Sequence, residues 1–271
     1  MSGVVDIHHH IVSERGYVDL LLRKMDEAGV ERAGLIGMGE VGRHVFVRDG
    51  APTEAATEKD VARAVKAHPD RFFGYVFVRP GFDGPEKVRR WANEGFRGAK
   101  FHLPKEPYNH ASYWGLYEAA QDAGLVCLFH TGVFKMGRPM PGEHVSSANC
   151  QPIHLDPVAN DFPELEIVLA HMGVCWNDEA ANLARLIPNV HLDISGALVG
   201  WRTGKDARWW KERLWWEGAE EKMLFGSDVH AEELAATLSS QLEVLKMLGW
   251  EGEKREKFLR VNAMRLFFSE R

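Results

Sequence analysis

Eight short apolar runs, separated by helix-like stretches, predict a (β/α)8 TIM barrel for this α/β chain. Three observations carry that expectation. The runs are apolar nearly throughout, as strands buried on both faces must be. They recur at a spacing of about 30 residues, the arithmetic of eight βα units. Several end in a metal-ligand residue type followed by a small or turn-forming residue. An open doubly wound sheet would carry a GxGxxG turn after its first strand, where this chain has histidines.

The first run, Val4-Val5-Asp6-Ile7-His8, leads into a helical pattern over Tyr17–Ala28, closed by Gly29 just past its end. The second run, 33–38, is followed by a helical stretch over 53–68. The third, Phe72–Val78, is followed by Pro85–Asn93, with Pro85 suited to a first turn and Gly95 to an exit. The fourth, Gly98-Ala99-Lys100-Phe101-His102, precedes a helix over 112–123, started by Ser112 and ended at Gly124. Runs at 125–130, 167–171, 190–194 and 223–228 complete the eight, and 232–248 reads as the last long helix. A short helix over 155–161 begins next to His154. The tryptophans at 209, 210, 215 and 216 read as one helix whose Trp209, Arg213 and Trp216 share a stripe. That stripe reads as packing against the barrel, with a homo-oligomer contact as the alternative.

Composition narrows the function. With 33 Lys+Arg against 39 Asp+Glu the formal charge is −6, which disfavours nucleic-acid and anionic-membrane partners. No apolar run is long enough to span a bilayer, which takes ~18 residues or more. Cys127, Cys150 and Cys175 form no CxxC, so a disulfide framework is not expected and a reducing, cytoplasmic setting is. No linker divides the sequence, and residues 1–271 read as a single domain that acts on a small molecule.

The polar residues concentrate at strand ends: Asp6-Ile7-His8-His9-His10, His130-Thr131-Gly132, His171-Met172-Gly173 and Gly226-Ser227-Asp228. In a barrel such ends converge on one mouth. With a strand period of two, Asp6, His8 and His10 share one face while His9 turns toward the helix layer. His8 and His10 can then reach one metal. Imidazoles with a carboxylate suit zinc, and also manganese, iron or nickel.

These motifs, in this order, resemble the amidohydrolase superfamily in its amidohydrolase-related branch. The likeness also rests on Gly98-Ala99-Lys100-Phe101-His102, Asp161-Phe162-Pro163-Glu164-Leu165, Leu192-Asp193-Ile194-Ser195-Gly196 and the closing Val261-Asn262-Ala263-Met264-Arg265-Leu266-Phe267. The resemblance implies a metal-dependent hydrolase with metal ligands His8, His10, His130 and Asp228, and His171 beside the metal. Some members carry a carboxylated, metal-bridging lysine on strand four. Lys100 stands there, and the branch implies one ion, zinc ahead of manganese or another divalent metal, with Lys100 unmodified.

The expected chemistry is attack of metal-activated water on a carbonyl carbon, cleaving a C–N or C–O bond of an amide, lactone or ester. Asp228 would accept the proton of the water and pass it to the leaving group, and His171 would hydrogen-bond the developing oxyanion. The alternatives are a non-oxidative decarboxylase of an aromatic or unsaturated carboxylic acid, which the branch also contains, and a catalytically silent binding barrel. Lys100, His102, Arg79 and Arg138 are candidate substrate contacts, Arg138 because the long segment over 136–155 is placed to form a lid. Glu40, Trp201 and Arg202 are weaker candidates, and His191 reads as a structural group at the barrel bottom.

Overall fold

Strand β1 (Val4–His10) is buried at every residue, and this is the pattern of a parallel strand covered on both faces. The computed structural model describes residues 3–39, 47–48, 51–134, 145–196 and 200–269. After β1 come α1 (Tyr17–Ala28), β2 (Val30–Ile36), the two-residue strands β3 (Val47–Arg48) and β4 (Ala51–Pro52), α2 (Glu58–Ala67), β5 (Phe72–Val78) and α3 (Pro85–Asn93). Then follow β6 (Gly98–Phe101), α4 (Trp114–Asp122), β7 (Val126–Phe129), α5 (Asp156–Asp161), β8 (Ile167–Leu169), α6 (Asn177–Leu186) and β9 (Val190–Asp193). The chain ends with α7 (Ala207–Arg213), β10 (Met223–Leu224), α8 (Leu234–Leu248), α9 (Glu253–Glu256) and α10 (Asn262–Phe268). Eight strands form one sheet in the order β1-β2-β5-β6-β7-β8-β9-β10, each followed by a helix, so the fold class is the (β/α)8 TIM barrel.

By internal contacts the chain divides into two compact units, Met1–Tyr75 with Ile194–Phe268 and Val76–Asp193 with Ser269–Arg271. In the first, the turn after β10 is laid on β1: the Ile7 amide donates to the Phe225 carbonyl (3.0 Å) and the Asp228 amide to the His8 carbonyl (2.7 Å). Helix α1 buries Tyr17, Leu21 and Met25, one face at four-residue spacing, and closes on Gly29 in the left-handed region. Helix α8 buries Leu234, Leu238 and Leu245, with Gln241 donating to the Gly226 carbonyl (2.7 Å) beneath that same turn. The Asn262 amide holds the Glu220 and Met223 carbonyls (both 2.8 Å), which gives the closing Val261-Asn262-Ala263 motif its role.

In the second unit β6, β7, β8 and β9 pair in parallel in that order. The Asn189 amide gathers the Ala159, Phe162 and Leu165 carbonyls, so it fixes the loop that carries Asp161-Phe162-Pro163-Glu164-Leu165. His191 pairs with Glu166 (2.9 Å), a structural contact.

Several boundaries differ from the sequence reading, each for a local reason. Helix α2 starts at Glu58, not residue 53, because 54–56 run extended against 11–13: the Ser13 amide donates to Glu54 and the Ala56 amide to Ile11. Strand β8 ends at Leu169 and β10 at Leu224, so neither reaches His171 (φ 59°), Met172 (φ 46°) or Asp228 (φ 50°), which hold the left-handed region. Helix α7 stops at Arg213, leaving Trp215 and Trp216 outside it. Trp210 is the fully buried tryptophan, the Arg213 guanidinium lies over the Trp209 ring (4.0 Å), and Trp215 is 68% exposed. His154 lies in a 3-10 turn (Pro152–Leu155) ahead of α5. Among the described residues no helix is long and apolar enough to cross a membrane.

The start of α2 is a reciprocal capping box: Thr57 Oγ1 accepts from the Asp60 amide and Asp60 accepts from the Thr57 amide. Burial works to raise the Asp60 pKa, but the Thr57 amide and hydroxyl and the Arg63 guanidinium hold it below the usual aspartate value. That stabilisation is present above the unfolded pKa and fades as pH falls through the folded one. Thr57→Ala is expected to cost about 1 kcal/mol in urea unfolding at neutral pH, with a smaller deficit in acid; equal deficits at both pH values would remove Asp60 from the cap.

Candidate metal centre

The first unit brings His8, His10 and Asp228 together. One ligand atom from each lies within 4.8 Å of the other two. His10 Nε2 is 3.5 Å and His8 Nε2 3.8 Å from Asp228 Oδ1, and the two imidazole centroids are 5.4 Å apart. Two ligands each ~2.1 Å from one ion stand at most ~4.2 Å apart, so these carboxylate–imidazole separations fit a shared cation. Two imidazole nitrogens and a carboxylate oxygen suit zinc, manganese or iron. His8 is fully buried, while the Asp228 side chain keeps 21% of its surface, so the donor set opens to solvent on the carboxylate side.

The local sequence dictates this convergence. Alternation along β1 sends His8 and His10 to one side. Asp228 arrives from a turn that the sheet ladder cannot hold, and its own amide donates to the His8 carbonyl (2.7 Å). Ser195 Oγ sits 3.0 Å from His8 Nδ1 and can take its N–H, which leaves Nε2 to face Asp228 as an acceptor. The segment carrying Ser195 is clasped in turn: the buried Arg202 guanidinium donates to the Ile194 (2.7 Å) and Gly196 (3.3 Å) carbonyls, and the Trp201 indole to the Ser195 carbonyl. Trp201 and Arg202 therefore shape the support of the site.

The second unit holds another histidine group, formed by the ends of β6, β7 and β8. His102 stacks on His130 with centroids 4.0 Å apart, His171 meets His130 edge-on at 5.0 Å, and Phe134 lies edge-on to His102 and His130. Backbone anchors hold this group. The Tyr108 hydroxyl donates to the His130 carbonyl (3.0 Å), Asp193 Oδ1 accepts from the His171 amide (2.8 Å), and Thr131 Oγ1 donates to the Ala170 carbonyl (2.6 Å). Gly132 is required by close approach: a Cβ there would collide with the Val174 carbonyl, and its φ is 123°.

Lys100 is buried in β6, and its charge reaches Cys150. Burial pushes the Cys150 thiol up to about 12, against the opposing pull of its bond to Tyr108 and of the Lys100 charge. Arg79 lies over the Phe82 ring at 4.0 Å, with its amide on Asp83. Arg138 and Glu40 lie outside the described residues.

Asp193, Ser195 and Ser227 are functional supports to which the sequence reading assigned no role. Their signal was present as polar residues alternating inside otherwise apolar runs. Their partners, 22 or more positions away in the cases of His171, His8 and Asp6, were not readable from spacing.

A family model described as Amidohydrolase matches residues 5–268. Among curated proteins none matches this sequence. Among solved structures, an uncharacterized TIM-barrel protein from Bordetella bronchiseptica is 19% identical, with TM-score 0.71 over 97% of this chain and 98% of its own. The 2,6-dihydroxybenzoate decarboxylase from Rhizobium is 17% identical, with TM-score 0.66 over 98% and 99%. A probable 2-pyrone-4,6-dicarboxylic acid hydrolase from Acinetobacter baumannii is 14% identical, with TM-score 0.64 over 98% and 99%. At these identities the likeness is one of fold.

The cysteines offer a probe of the burial pattern. Cys127 and Cys150 are buried and Cys175 is exposed. Iodoacetamide under native conditions is expected to label Cys175 alone by peptide mass spectrometry, with Cys127 and Cys150 labelled only after unfolding.

Proposed function

The chain belongs to the amidohydrolase family, and on that premise we propose that it is a metal-dependent hydrolase that cleaves a C–N or C–O bond of a small amide, lactone or ester. The observation that carries this reading is the convergence of His8, His10 and Asp228 on one point. We assign one divalent ion to it, zinc ahead of manganese. When bound, such an ion supplies Lewis-acid chemistry that lowers the pKa of water to ~7.

The protein's own groups do the rest. His8 and His10 would hold the cation through Nε2, with Ser195 keeping the His8 proton on Nδ1. Asp228 Oδ1 faces the imidazoles, and Oδ2 is the base that takes the proton of the attacking water and later hands it to the leaving nitrogen or oxygen. His130 as a further ligand, and His171 as donor to the developing oxyanion, rest on the family resemblance. Lys100, His102, Arg79 and Arg138 are kept as proposed substrate contacts on the sequence reading. Three cysteines outside any disulfide are in keeping with a cytoplasmic setting.

A second reading is non-oxidative decarboxylation of an aromatic or unsaturated acid. It is favoured by the fold shared with the Rhizobium protein, which is named as a decarboxylase. Incubating the metal-loaded protein with lactone, ester and amide panels and with aryl carboxylic acids separates the two: acid release supports hydrolysis, and CO2 release replaces it with decarboxylation. A protein that retains no metal after add-back and turns over neither panel would be a silent barrel.

Asp228→Asn is expected to lower turnover by about 10²–10⁴-fold, the usual worth of a positioned base, with thermal melting of the metal-free protein unchanged. Turnover near that of the wild type would remove Asp228 from the chemistry.

A further inference from the structure

Behind the candidate metal centre lies a buried line of polar side chains that the proposed reaction does not use. Asp6, Ser227 and His9 are fully buried and Tyr17 is 2% exposed. Ser227 Oγ lies 2.5 Å from Asp6 Oδ2 and 3.1 Å from His9 Nδ1, and His9 Nε2 lies 3.0 Å from the Tyr17 hydroxyl. The Ala231 amide donates to that hydroxyl (3.3 Å). The grouping of serine, histidine and aspartate suggests a nucleophilic triad, but no substrate reaches a fully buried hydroxyl, and Ser227 stands between the other two.

Proton counting orients the line. An aspartate oxygen only accepts, so the single Ser227 hydroxyl proton points to Asp6. His9 then donates to Ser227 from Nδ1, and in the tautomer with that single ring proton its Nε2 accepts from Tyr17, whose oxygen in turn accepts from Ala231. Asp6 Oδ1 also accepts from the amides of His8 (3.0 Å) and Ser227 (2.9 Å). The line therefore ends on the backbone of one cation ligand and of the residue preceding another.

We infer that this one-directional hydrogen-bond chain, Tyr17 to His9 to Ser227 to Asp6, sets the relative position of His8 and Asp228, which makes its four members positioning residues for the cation site. The inference rests on the proposed assignment of that site. It also accounts for His9, the one histidine of the triple run turned from the cation, which relays order from the first residue of α1 to the turn after β10.

Two measurements on the full chain test it. In the metal-free protein, ring 15N spectra should show the His9 proton on Nδ1, the peaks being assigned by their loss in His9→Gln. Mn2+ titration followed by electron paramagnetic resonance should show Ser227→Ala weakening affinity about tenfold or more, as loss of a ligand-orienting partner does. Tyr17→Phe should act in the same direction by a smaller factor, and it serves if Ser227→Ala fails to fold. Thr57→Ala, which lowers stability away from the line, should leave Mn2+ affinity unchanged. A His9 proton on Nε2, affinities of both variants equal to wild type, or the same weakening in Thr57→Ala would overturn the inference alone. Failure of the wild-type protein to bind Mn2+ would overturn the proposed function and this inference together.

Discussion

The buried carboxylate of Asp6 is the constraint on which the first unit depends. It accepts hydrogen bonds from the His8 amide, the Ser227 amide and the Ser227 hydroxyl. Those three donors come from the first strand and from the turn after the last one, some 220 positions away in the chain. A buried carboxylate is costly unless several donors meet it, and here the donors are the elements that must be joined. The three bonds that satisfy the carboxylate also join the first strand to the turn after β10. That same turn sets Asp228 beside His8 and His10.

The histidine group of the second unit is organised in a different way but for the same reason. Strand ends run out of ladder partners, so the backbone around each polar residue needs another acceptor or donor. Tyr108, Thr131 and Asp193 provide them, to the carbonyl of His130, the carbonyl of Ala170 and the amide of His171. In both units a side chain from a neighbouring element finishes the backbone where the sheet stops. This explains why polar residues inside apolar runs recur throughout the chain.

How much of this was legible in the sequence depended on how local the cause was. Helices α1 and α3 stand at their expected bounds because Gly29 and Pro85 punctuate them from within a few residues. The apolar period of β5 likewise marked both of its ends. Helix α2 was extended too far back because the bonds of 54–56 to 11–13 are long-range and leave no periodic trace. The shared side of His8 and His10 agrees with a period of two. Asp6, expected on that same face, lies instead with His9, its Oδ2 3.7 Å from His9 Nδ1, because the register of β1 against β2 shifts between Asp6 and His9. The pairing of Ser195 with His8, 187 positions apart, followed from nothing in the spacing. Strands were carried through His171 and Asp228 because non-glycine residues rarely take positive φ, so no composition rule announces them.

Leu103, His171, Met172 and Asp228 all hold that left-handed conformation. An L-residue there sits ~1–2 kcal/mol above a glycine at the same place. At Leu103 and Met172 the buried apolar side chain is worth more than that strain, so glycine would relieve the fold only at His171 and Asp228. The His171 and Asp228 side chains therefore stand in that conformation at a cost to stability. A library of such chains screened only for heat tolerance would drift first at these two corners.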